Sequence, residues 1–441
     1  MYLPQKQLSP IMEMNYEYER HLVDDRDSYS ICSSDSVDDD FWDSDDDDEL
    51  LNFLYIGGNT RVEKYIHPRL CWEDHLEKLQ HEGMFSRTYR MSYEAFLKLL
   101  LFIRPSLQCR NGNSDQGGAE LIRPEIVMAI ALRWLAGGSY IDIRHAYFCS
   151  VTSIYRCRNT FIDAICSCGA LDIIFPETPE EIQAAMDAFA DRSSNRILRG
   201  CIGALDGFLA KINCPSLEEC EHNQDAYFSG HYQTHGINVQ AVCDHKSRFI
   251  FFAVAAPGKT ADQVAFERTS LPAVLAKLPA GVYIAVDAAY TLTETCMCPF
   301  TGSQRKDKNK DAFNFYLSQL RIRIEMAFGL MTNKWLILRR NLTTSLPLSG
   351  MVLAACARLH NYVIDEDGIE DDDRIILRQI QPMNDAPFGW GFLPVVEKLV
   401  VIPGSSQIRD IVVRHIRRHQ YRRPPQNIAR RRQELHERGL M

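Results

Sequence analysis

The chain has 441 residues, 46% of them hydrophobic and 24% charged, with a formal charge of −9. That length suits two ordinary domains with tails, and the composition excludes a fibrous or wholly disordered protein. The longest apolar runs, such as Phe249 to Ala256, fall far short of the roughly 18 residues that span a bilayer, and the acidic N-terminus has no signal-peptide layout, so a soluble intracellular protein is expected.

The 14 cysteines are scattered, with two C-x-C pairs and no C-x-x-C, which favours reduced thiols packed as small hydrophobes over disulfides or a zinc centre. Residues 1–60 hold 16 Asp/Glu against 3 Lys/Arg, and nine of the twelve residues from Asp38 to Glu49 are acidic. Such a segment repels itself and has too little apolar area to offset the entropy of ordering, so residues 1–60 are expected to form a disordered acidic tail. Phe41 and Trp42 interrupt it, as a partner-docking motif would, though a solubilising tail reads the same way. The other end is opposite in sign: Arg409 to Met441 holds 10 Arg and 3 Asp/Glu, suiting phosphate contact, a nuclear import signal or a solvated helix face.

Residues 61–195 read as a helical domain. Phe96, Leu99, Leu100 and Ile103 recur at helical spacing from Tyr93 until Pro105 ends the segment. Pro124 opens a second helix over Glu125 to Ala136, stopped by Gly137-Gly138. A short helix from Tyr140 to Phe148, a turn, and a longer helix begun by Thr152 or Ser153 then give a helix-turn-helix outline. As a DNA reader it would present Thr152, Ser153, Tyr155, Arg156 and Arg158 at the front of its second helix, although any small helical domain packs similarly.

After Arg199 the pattern becomes strand-like. Ile202 to Phe208 is apolar except for Asp206, and a buried carboxylate needs a partner or a cation. Strands Ile237 to Cys243 and Phe249 to Ala255 follow, joined by the turn Asp244 to Ser247, then a helix-compatible stretch from Ala261 to Leu278. A further strand, Val282 to Asp287, ends in an acid, and a helix from about Ala312 to Asn333 sets Glu325 among core-type residues one turn after Arg321. Three acids of this kind, two at strand ends and one on a helix, suit a pair of magnesium or manganese ions, which prefer oxygen ligands and activate water for phosphodiester cleavage.

Gly203 to Gly207, Asn238 to Asp244, Pro257-Gly258, Val286 to Tyr290, Ile324 to Gly329, Trp335 to Leu338 and Leu359-His360-Asn361 together resemble a PIF/Harbinger-type DDE transposase over residues 200–362. The resemblance implies an α/β fold in which an RNase H-like mixed sheet flanked by helices (residues 196–365) follows the helix-turn-helix-like helical domain and precedes an Arg-rich C-terminal extension (366–441). It implies a catalytic and metal-binding triad of Asp206, Asp287 and Glu325. The family's His-Asp pair falls at Ala261-Asp262 here, making Asp262 a candidate fourth ligand. Phe208 replaces a small hydroxyl residue, Ala288-Ala289 a flexible turn, and Met326 an arginine. The family further implies Mg2+ or Mn2+ as cofactor, transposon-end and target DNA as substrates, a Myb-like DNA-binding partner and nuclear residence, and it leaves open whether the protein is an oligomer.

Arg305 and Lys306, in the basic loop Gln304 to Lys310, are expected to lie near the metal end of the sheet and to contact phosphate. Gly258-Lys259-Thr260 ends like a P-loop but has alanine at 253 where glycine is needed. His231 and His235 are spaced for zinc but flanked by glycines rather than placed in a helix. The resulting expectation is a metal-dependent endonuclease that cuts transposon ends and joins them to target DNA. The alternatives are a domesticated, catalytically silent DNA-binding or adaptor protein, and a transcriptional regulator acting through its acidic tail.

Overall fold

Serine and proline set the helix starts in the N-terminal half of the computed structural model, which describes residues 70–107, 122–369 and 406–424. The acidic tail of 1–60 and Arg430 to Arg432 therefore lie outside the described residues. The first helices are α1 (Trp72–His81), α2 (Phe85–Tyr89), α3 (Tyr93–Ile103) and α4 (Pro124–Leu135). They are followed by α5 (Tyr140–Tyr147), α6 (Val151–Cys166) and α7 (Pro179–Ala190). Ser92, Ser139 and Ser150 each accept the backbone N–H three residues on, and Thr178 with Glu181 forms a reciprocal capping box, which satisfies amides that the first turn leaves orphaned. The cap of α6 is thus Ser150, not Thr152 or Ser153. Ser150 is already extended and takes the Ser153 N–H, so the helix begins earlier than expected and both later residues lie in its first turn.

The strands are β1 (Cys201–Lys211), β2 (Phe228–Ser229), β3 (Thr234–Cys243), β4 (Phe249–Pro257), β5 (Tyr283–Ala285) and β6 (Cys296–Met297). The hydrogen-bonded strand order is β2-β3-β1-β5-β6, with β4 also paired to β3. β3 is antiparallel to β1 and β4, whereas β1, β5 and β6 are parallel. This open mixed sheet flanked by helices is compatible with an RNase H-like fold.

Several boundaries depart from expectation. β1 continues to Lys211, so Asp206 sits inside the strand rather than near its end, and β5 stops at Ala285, leaving Asp287 just beyond it. The stretch from Ala261 splits into α8 (Asp262–Glu267) and α9 (Leu271–Leu275), because Pro272 starts a new helix rather than continuing the old one. The long helix α10 (Lys308–Lys334) begins four residues early, capped by Asp307, whose Oδ1 accepts from Asn309 and Lys310 N–H at 2.7 and 3.2 Å.

One hydrophobic cluster runs from Trp72 to Val363 and joins α3, α4 and α6 to β1, β3 and α10. Phe208 stacks on Phe328 with ring centroids 5.1 Å apart, which accounts for an aromatic residue beside Asp206. α11 (Leu346–Glu366) packs between α6 and β4. Its Asn361 accepts the Phe249 N–H and donates to the Phe249 carbonyl, both at 2.7 Å, while His360 Nε2 lies 2.8 Å from the Ser247 carbonyl. Burial pushes the His360 imidazole down to about 4. Leu359-His360-Asn361 is therefore a clasp on the β3–β4 hairpin. A final helix, α12 (Gln407–Arg418), lies along α10. Among the described residues no helix is long and apolar enough to cross a membrane.

Candidate active site

Register brings the first two acids together. Ala204 pairs with Ala285 across parallel β1 and β5, so Asp206 and Asp287, each two residues further on, leave the sheet side by side on the same face. α10 packs on β1 and supplies Arg321 and, one turn later, Glu325. The Arg321 Nη2 lies 4.0 Å from Asp206 Oδ2, 3.7 Å from Asp287 Oδ2 and 3.9 Å from Glu325 Oε1. Three carboxylates separated by 81 and 38 residues in sequence thus surround one guanidinium.

Their environments differ. The Asp206 side chain is 24% exposed, and burial pushes its carboxyl up to about 6, against the pull of Arg321 and of the Gly207 N–H that it accepts at 2.9 Å. Asp287 caps its own turn by accepting the Ala288 N–H. Glu325 is 51% exposed, which corrects its expected place in the core: Ile322, Met326 and Leu330 occupy the buried side of that helix, and Glu325 projects from the rim. Met326 fills that buried strip.

Asp262 stands apart from this group. It is the first residue of α8 and approaches β1 at Gly207, where a Cβ would fall 2.4 Å from Asp262 Oδ1; only glycine admits the contact. Since side chains alternate along a strand, Gly207 faces away from Asp206, and Asp262 comes to the opposite face of the sheet. Its Oδ1 accepts from Asn238 Nδ2 at 3.0 Å and Gln240 Nε2 at 3.3 Å. Tyr290 donates to Gln240 Oε1 at 2.7 Å, and its hydroxyl is pushed upward by burial and by the Asp262 and Asp206 carboxylates. Asn238, Gln240 and Tyr290 lie within the motifs of the resemblance, but sequence reasoning gave them no role in the site. The one local signal was two amides spaced i, i+2 in an otherwise apolar strand.

The expected DNA-contacting residues scatter. Thr152 and Arg156 are exposed on α6, and Ser153 and Tyr155 are half-buried. Arg158 is 3% exposed, with its guanidinium 5.0 Å from the Trp134 ring centroid and 4.8 Å from that of Tyr155, so it is turned inward and is removed from the set that faces solvent. The outward stripe of α6 continues to Asp163, which offsets Arg156. Arg305 and Lys306 are exposed in a 3-10 turn, Gly302–Lys306, just before α10. At 1.5 Å per residue, Lys308 and Arg321 are about 20 Å apart along that helix, so the loop is not beside the carboxylates. The P-loop and zinc decoys fail on contacts: Gly258 and Lys259 N–H groups bond to the Gly236 and Ala226 carbonyls, and His235 rests against Phe228.

Hard oxygen donors crowding one positive charge, with one carboxyl resisting ionisation, fit a divalent cation in kind. Among the described residues, however, no three acidic, histidine or cysteine side chains stand close enough to share a metal ion; they are drawn up around Arg321 instead. An open mixed sheet that brings one carboxylate from within β1 beside another just beyond β5 is compatible with an RNase H-like α/β domain. A family model described as a DDE superfamily endonuclease matches residues 205–361, the segment that begins next to Asp206 and closes on Asn361. The match supports a DDE-type nuclease or transposase domain over that segment, with DNA as its substrate class. No curated protein and no solved structure matches the chain.

Proposed function

We propose that the protein is a metal-dependent DNA endonuclease of the PIF/Harbinger transposase type, with Asp206, Asp287 and Glu325 as its catalytic carboxylates. The convergence of all three on the Arg321 Nη2 carries this reading. Asp206 and Asp287, adjacent through strand register, would hold a magnesium or manganese ion between them, and Glu325 would complete the site from α10. When bound, such ions supply an activated water and neutralise the leaving oxygen of a phosphodiester. Arg321 lies against all three carboxylates and offsets part of their mutual repulsion. Asp262, held by Asn238 and Gln240, would act behind the sheet by fixing Gly207 and so the turn of β1 that aims Asp206. Strand transfer to target DNA, a Myb-like partner and work in the nucleus belong to the same reading.

Purified protein given Mn2+ and end-labelled duplex should nick it, and Asp287→Asn should abolish nicking without lowering thermal stability, since Asp287 is a partly exposed residue outside the strand. Equal inactivity of wild type and variant would instead favour a catalytically silent DNA-binding or adaptor protein. One observation favours that second reading: the three acids are gathered around a side chain of the protein itself, Arg321, which offsets part of their charge.

A further inference from the structure

The exposed arginines at the end of α12 lie beside the basic turn before α10, about 20 Å along α10 from Arg321. α12 is strongly two-faced. Ile408, Val412 and Ile416, at i, i+4 and i+8, are buried, whereas Arg414, Arg417 and Arg418 are exposed. The helix is pinned at both ends. At its start the Gln407 N–H donates to Glu294 Oε1 at 2.8 Å, and the Arg409 guanidinium lies 4.1 Å from the Phe300 ring centroid. Beyond its end, Arg423 pairs with Asp311 at 2.9 Å and Arg422 donates to Asn309 Oδ1 at 2.8 Å.

These contacts set the C-terminal end of α12 against the first turn of α10, next to Arg305, Lys306 and Lys308. The acids nearby do not cancel the cluster. Asp311 is paired with Arg423, and the two acids left charged, Asp307 at the cap of α10 and exposed Asp410 in the first turn of α12, face six cations, Arg414, Arg417, Arg418, Arg422, Lys306 and Lys308. Apolar residues thus spend their burial on docking the helix, and arginine fills the side left to solvent.

We propose that this surface, built from Arg414, Arg417, Arg418 and Arg422 with Lys306 and Lys308, is a second docking site for the phosphate backbone of duplex DNA, apart from the carboxylate site. The proposal rests on the reading of the protein as a DNA endonuclease and adds where the duplex lies. The first turn of α10 is about 20 Å along that helix from Arg321, the length of about six base pairs at 3.4 Å per step. A duplex with one phosphate at the carboxylates and its axis along α10 therefore meets the arginine face roughly half a helical turn away. The surface presents exposed guanidinium and ammonium groups, which pair with phosphate rather than read base edges, so it holds the backbone regardless of sequence and orients the scissile strand from a distance.

The test measures binding of the full chain to a labelled duplex of about 30 base pairs by fluorescence anisotropy, in EDTA, over a range of salt. Both arginines at 417 and 418 are exposed, so Arg417→Gln/Arg418→Gln should leave the fold intact. The double variant should bind roughly tenfold more weakly and lose about two units from the slope of log affinity against log salt, while Arg417→Lys/Arg418→Lys should keep most of both. If wild type binds and the glutamine variant matches it in affinity and slope, the assignment of this surface is wrong and the endonuclease reading is untouched. If wild type binds no duplex at any salt, both fall.

Discussion

Asp206 shows how a residue suited to chemistry burdens the fold that carries it. Its carboxyl ionises near 6 in the folded chain against 3.8 as the ordinary value, because burial opposes the charge more than Arg321 favours it. A folded-state value raised in this way means stability that is fully present below about pH 4 and lost as pH climbs through 6. Asp206→Asn escapes that loss, so at pH 7 it should unfold at higher temperature than wild type, with a gain of up to about 3 kcal/mol, and should match wild type near pH 4. Calorimetric melts at the two pH values check this; a gain of the same size at both would show that something other than the ionised carboxylate is responsible.

Arg321 makes the complementary case. Replacing it by methionine removes the charge that the three acids share, so Arg321→Met should bind Mn2+ on the order of tenfold more tightly by titration calorimetry while melting lower without metal. Unchanged affinity would mean that the guanidinium does not stand where the ion is to go.

Helix and strand boundaries decide which side chains meet. The motif Leu359-His360-Asn361 reads from sequence as part of a functional signature, yet its asparagine holds both backbone groups of Phe249 and so ties α11 to the first residue of β4. Asn361→Ala leaves a buried N–H and carbonyl unmatched, and should cost about 2–3 kcal/mol in denaturant unfolding with Mn2+ affinity retained in the folded protein. If instead metal binding fails while stability holds, the residue belongs to the site and not to the clasp. The same scale explains the errors in the expected elements. Proline broke one helix in two, Ser150 and Asp307 started two others early, and β1 outran its apolar centre because Leu209 and Ala210 pair with β3.

Over the whole molecule, the chain written as a helical part and a sheet part shares one buried cluster, so the helices before β1 are also a wall of the core on which the sheet rests. This is why α6 resembles the second helix of a DNA reader in sequence and yet turns Arg158 inward against Trp134, while the denser positive surface lies at α12 and the start of α10. Local sequence was enough to mark Asp206, Asp287 and Glu325, because a carboxylate in an apolar run is conspicuous wherever it ends up, and enough to find β1, β3, β4 and β5 and the helices α3 to α6 and α10, but not α11 or the two-residue strands β2 and β6. It could not show that Glu325 faces outward, that Asp262 reaches the back of the sheet through the space left by Gly207, or that Gln240 and Tyr290 stand beneath the site. Those facts depend on strand register and on which face of α10 packs against β1, and both are fixed by contacts between segments scores of residues apart, each of which is compatible by itself with several partners.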